Sequence, residues 1–160
     1  MFYIVNLRRR QIGGSRVPHT IAVVLPLVWL GWLVLTEWVP MFPLNDLVPG
    51  NRGPRLLAAA INYPFPLLIA GGVALDRRWS LISALVLCVL VLTGHVVSWW
   101  LPYFGFSSAA QREVYRRDYA RTLKILPAEG RDVVIDVQHM VVGVLTLLMT
   151  GATAAATMAA

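Results

Sequence analysis

Apolar residues run almost unbroken through four stretches of the chain, approximately 17–39, 56–75, 79–101 and 133–156. Each reaches the ~20 residues that a helix needs to cross a hydrocarbon core. The few polar residues inside these runs are unevenly placed. Glu37 lies near the end of the first run and Asn62 near the start of the second. His95 lies near the end of the third, and Asp136 and His139 near the start of the fourth. An up-and-down path therefore collects all five at one end of a bundle. Polar and ionisable groups in spanning helices are costly, and they mark functional sites.

The connections sharpen this pattern. The first helix is expected to begin after Pro18 and to end at Pro40, with a kink at Pro26 and Trp38 as an interface anchor. Phe2–Leu7 is expected along the interface. The string MFPLNDLVPGNRGP, residues 41–54, reads as a loop, with Phe42 and Leu44 turned back toward the bundle. Pro64 and Pro66 remove backbone donors and disturb the opening turns of the second helix. Residues 76–78 leave room only for a tight reversal. Pro102 and Gly105 stop the third helix.

Residues 107–126 then alternate at helical spacing. Val114 or Tyr115, Tyr119, Thr122 or Leu123, and Leu126 form one face, and Arg112, Arg116, Arg117, Arg121 and Lys124 the other. Such a segment fits an amphipathic helix on the headgroups, and equally a helix capping the bundle. The tail GATAAATMAA is small and uncharged and is expected to fray.

Composition agrees with lipid as the main solvent. Hydrophobic residues make up 58% of the 160 and charged ones 14%, with a mean hydropathy of +0.65. A soluble domain carries about 25% charged residues. The expected fold is an all-α integral membrane protein, a four-transmembrane-helix bundle in one domain over residues 1–160. An amphipathic interfacial helix lies between its third and fourth helices. The net charge of +6 then points to membrane lipids as partners and away from nucleic acid, which wants a soluble basic face with exposed aromatics.

The N-terminal Arg8–Arg10 cluster follows an apolar stretch instead of preceding one, so the first run reads as an uncleaved span. Six basic residues fall on the side of the termini and eight on the side of the long loops. The cluster at the first span, which usually dominates, favours cytoplasmic termini in a multi-pass protein of the cell membrane. Cys88 stands alone, which excludes an internal disulfide and CxxC motifs.

The polar cluster supports three readings. In the first, the protein is a membrane-embedded acid–base enzyme for a lipophilic molecule of isoprenoid, lipid or quinone type. His95, His139, Glu37 and Asp136 are its candidate catalytic groups, and isomerisation, cyclisation and hydrolysis are all open. Asp136 sits three residues before His139 on the same helical face, the arrangement that orients a general base. Asn62, Tyr63, Trp99 and Tyr103 are the candidate substrate-binding residues, with Trp99 four residues after His95 and on its face. In the second, His95 and His139 ligate a b-type haem, which Gly94 and Gly143 make room for. In the third, the polar groups satisfy one another in a non-catalytic accessory subunit, scaffold or homo-oligomer. Nothing in the spacing demands a dedicated metal site.

Overall fold

The computed structural model describes residues 2–47, 50 and 52–160, with residues 2–16 as backbone only. Its described residues form seven α-helices: α1 Phe2–Trp38, α2 Arg52–Asn62, α3 Pro64–Ala74, α4 Arg78–His95, α5 Leu101–Tyr103, α6 Ala109–Asp118 and α7 Val137–Ala159. A π-helical segment, Val96–Trp100, joins α4 to α5. Four stretches are long and apolar enough to cross a membrane: Val17–Trp38, Arg52–Ala74, Arg78–Tyr103 and Val137–Ala159.

Several expected boundaries move. The first helix starts at Phe2 and runs through Pro18 and Pro26. A proline costs one ladder bond, and an apolar setting strongly favours keeping the others. The side chains that an interfacial Phe2–Leu7 would involve lie outside the described residues. The second span is two helices, because Tyr63 separates α2 from α3 and Pro64 opens α3 at a position where no N–H is needed. The tail does not fray. Thr153 and Ala156 are buried, and the Cys88 thiol reaches the Thr153 hydroxyl at 3.6 Å.

The helices form a ring. α1 packs against α3 and α7, and α4 packs against the same two. Trp29, Leu33, Ile69, Val73, Leu81, Cys88, Val142 and Met149 fill the centre. Gly72 lets α3 approach α4 closely, since a Cβ there would stand 3.1 Å from the Ser80 carbonyl oxygen and 3.2 Å from Ala84 Cβ. The outward faces carry Val24, Leu27, Leu68, Val86, Leu90 and Leu147, all exposed. Such apolar outer faces are compatible with helices that cross a membrane.

The segment between the third and fourth spans departs most from expectation. Helix runs only over Ala109–Asp118, opened by a Ser108–Gln111 capping box. Beyond it the chain folds over the bundle end. The Leu123 N–H donates to the Pro43 carbonyl at 2.7 Å, the Val137 N–H to Leu123 at 2.9 Å, and Lys124 bridges Asp136. Tyr103, Tyr115, Val133, Val134 and Ile135 bury together in a second small core. Residues 133–136 are therefore a buried lead-in to α7 and not its first turn. Tyr115 packs inward while Val114 and Leu123 stay exposed, which is how a cap packs.

In the loop after α1, Phe42 is exposed and does not fold back. Asn45 takes that role instead. Its amide donates to the Thr36 and Val39 carbonyls at 2.8 Å each and accepts from the Met41 N–H at 2.7 Å. Carbonyls left open at a helix C-terminus are closed in this way.

Candidate functional site

A cavity of about 820 Å³ occupies the end of the bundle beneath this cap. All four spans contribute to it, as do the loop after α1 and helix α6. Glu37, Asn62, His95, Trp99 and His139 line its wall, so four of the five polar residues of the sequence pattern meet in one space. Asp136, the fifth, lies behind His139. Tyr63 and Tyr103 do not line the cavity. Tyr63 donates its hydroxyl to Glu37 Oε2 at 2.7 Å and accepts from the Trp38 indole at 2.8 Å. Tyr103 sits in the second core, under the Arg131 guanidinium at 4.6 Å.

Asp136 is the N-cap of α7, and the fold uses both of its carboxylate oxygens. Oδ1 accepts the His139 backbone N–H at 2.9 Å and lies 2.7 Å from His139 Nδ1. Oδ2 accepts the Thr122 hydroxyl at 2.7 Å. A carboxylate can only accept, so Nδ1 carries the proton and Nε2 is left as the basic nitrogen. The Trp99 ring stacks on the imidazole with centroids 3.5 Å apart, and Tyr119 meets its edge at 5.0 Å. His139 is thus fixed in tautomer, in rotation and on one face.

Trp99 reaches His139 instead of His95. The π-helical segment begins directly after His95 and adds residues to the turn, so the i, i+4 relation of an α-helix fails there. His95 itself turns onto α7, where a Cβ on Gly143 would stand 2.6 Å from its Nε2. That nitrogen is buried and has no hydrogen-bond partner among the described residues. His95 is therefore level with Gly143, one turn deeper than His139, and the gap that Gly143 leaves is filled by the histidine.

The second tier comes from the cap. Lys124 donates to the Thr122 hydroxyl at 2.9 Å and to the Tyr119 carbonyl. Burial lowers the Lys124 ammonium, with Asp136 pulling the other way. Burial also pushes the Tyr119 phenol up to about 12, so it remains neutral beside the imidazole. Burial alone would raise the Asp136 carboxyl, but the hydrogen bonds and charge of His139 and the Thr122 hydroxyl outweigh it. The net value lies below the ordinary 3.8.

The sign of the pH dependence follows. A group with a depressed folded value gives its full stability above the unfolded value and loses it as pH falls through the folded one. The thermal midpoint of the detergent-solubilised protein should drop as pH is taken from 5 toward 2. Asp136→Asn should remove that part of the acid sensitivity, and an unchanged acid profile in the variant would show that the carboxylate plays no such part.

Sequence reasoning missed Thr122, Tyr119, Gln138 and Asn45. Thr122 and Tyr119 belong to the span-free segment and reach the site only because that segment folds back. Gln138 lies beside His139, and its carbonyl accepts the Trp32 indole N–H at 3.3 Å. Gln138 is a polar residue within the fourth apolar run and Tyr119 belongs to the helical stripe of residues 107–126, but nothing in the sequence ties either to the cavity. His19 pairs with Asp76 at 3.5 Å at the opposite end of the bundle.

Comparison with family models, with characterised protein sequences and with solved structures gave no match.

Proposed function

We propose that this chain is an integral membrane enzyme performing acid–base chemistry on a lipophilic small molecule held in one leaflet. The observation that carries the reading is the Asp136–His139 pair, buried, pre-oriented and placed on a cavity that all four spans line. His139 Nε2 is the general base, Asp136 holds it in the correct tautomer, and Thr122 fixes Asp136 from behind. Glu37, hydrogen-bonded by Tyr63, is the facing carboxyl group. Asn62 offers an amide to a polar substituent.

The walls around these groups are mainly apolar, with Leu33, Phe65, Val91, Trp99 and Val142 among them. Most of the charge on the wall is already engaged, with Glu37 held by the Tyr63 hydroxyl and not by a cation among the described residues. Arg117 forks onto Asp118 at 2.8 and 2.7 Å, Asp46 receives Arg121 in the same way, and Arg55 is also engaged. A polar but uncharged head, such as an alcohol or carbonyl of isoprenoid, lipid or quinone type, suits this setting best. Isomerisation and cyclisation need no co-reactant, because a proton taken by His139 is balanced by one returned to the substrate. Hydrolysis needs only water. The bis-histidine haem reading is less well supported, since the Nε2 of His95 faces Gly143. On this reading the protein is a multi-pass protein of the cell membrane with cytoplasmic termini.

Solvent-isotope labelling tests the proposal without a known substrate. Protein reconstituted with a native lipid extract in D2O, or in water enriched in oxygen-18, should introduce label into one lipid class read by mass spectrometry. A His139→Gln sample serves as the control. Equal labelling in the two samples would sink the enzyme reading.

A further inference from the structure

The cavity wall opens between α2 and α4. α3 packs on both α1 and α4, whereas the principal helix contact of α2 is with α3, its own continuation beyond Tyr63. The span therefore holds α4 mainly through its α3 half. The cavity-lining residues Leu90 and Gly94 lie four positions apart on α4, and with Ser98 of the π-helical segment they are all exposed. Residues that both line a cavity and are exposed mark an opening, here beside α4, and Pro54, Val114 and Arg117 mark another toward the cap. Across the seam stand Ala58 and Asn62 of α2. A side chain added at Gly94 would meet nothing within 4 Å, so the seam is unfilled where α4 passes it.

Beyond Arg55, which lines the cavity one turn before Ala58 on α2, the seam carries no charge. No Asp, Glu, Lys or Arg occurs in residues 56–75 or 79–111. The cap covers the opposite rim in part, through Arg121 on Asp46 and the Leu123 N–H on Pro43, and leaves Pro54, Val114 and Arg117 exposed there. An apolar passage serves a molecule dissolved in the bilayer, because an aqueous one would have to shed its hydration there.

We propose that the α2–α4 seam is a lateral portal. The apolar body of a bilayer-dissolved substrate passes sideways through it, with Gly94 and Ser98 as the residues that set its width. The substrate class is then a lipid-phase molecule with an uncharged polar head, slender enough to slip past Gly94. This rests on the proposed site, and it adds the route by which that site is filled.

The test separates route from affinity. Protein in lipid nanodiscs is mixed with vesicles carrying a dansyl-tagged long-chain alcohol, and tryptophan-to-dansyl energy transfer is followed by stopped flow. Gly94→Phe should slow association and dissociation together by about ten-fold with little change in Kd, as expected when a gate and not a contact is altered. Ser98→Leu should act in the same direction, and it serves if Gly94→Phe folds poorly. Gly71→Phe, an equal bulk in open space on α3, should change neither rate. Wild-type rates in both seam variants would overturn the portal and leave the site proposal standing. Weaker affinity at an unchanged association rate would make Gly94 a pocket wall and also overturn the portal. No saturable transfer in the wild type would overturn both proposals.

Discussion

Replacing Asp136 by alanine should lower stability by roughly 3–5 kcal/mol, the range found when one member of a buried polar pair is removed. Asp136 is fully buried, and three donors converge on it: the His139 backbone N–H, His139 Nδ1 and the Thr122 hydroxyl. Alanine leaves the two His139 donors without an acceptor, turns the Thr122 hydroxyl wholly to the Tyr119 carbonyl at 2.8 Å, and removes the N-cap of α7, itself worth about 1 kcal/mol. Asparagine keeps one oxygen for the cap, so Asp136→Asn should lose less than half as much. Thermal unfolding in detergent measures both. An alanine variant melting within a few degrees of the wild type would show that the lead-in to α7 is held by Val133–Ile135 packing alone.

The two histidines should behave differently. His139→Gln should reduce the isotope-labelling rate by roughly a hundred- to ten-thousand-fold, the usual contribution of a positioned general base. His95→Gln should cost far less, because His95 lies a turn deeper against Gly143 and has no carboxylate behind it. Its effect should be mainly on fit. Initial rates of label incorporation for the two variants give the ratio. Equal losses, accompanied by a Soret band in the wild type that both variants lack, would transfer the pair to a haem.

Much of this could be read from the residue pattern, because a membrane imposes length and polarity rules that a single sequence displays. The four spans and the gathering of Glu37, Asn62, His95 and His139 follow from run length and antiparallel order alone. The Asp136–His139 pairing followed from three-residue spacing, although the contact arises at a helix cap and not along a helix face. What failed was local register. The fourth apolar run begins at residue 133, but helix begins only at Val137, with Asp136 as its N-cap. Trp99 was assigned to His95 by α-helical spacing, and the π-helical segment moved it to His139. Tertiary packing decided both, as it did the folding back of residues 119–136.

The order in which the site is completed follows from the place of α7 in the chain. A chain growing from its N-terminus has Glu37, Asn62 and His95 in hand once three spans are made, but neither the base nor its carboxylate. Those arrive together with the last span. They are locked only when Thr122 and Leu123 have found Asp136 and the loop after α1. A chain without its last span therefore lacks both His139 and Asp136, and the proposed acid–base site is complete only once α7 is in place.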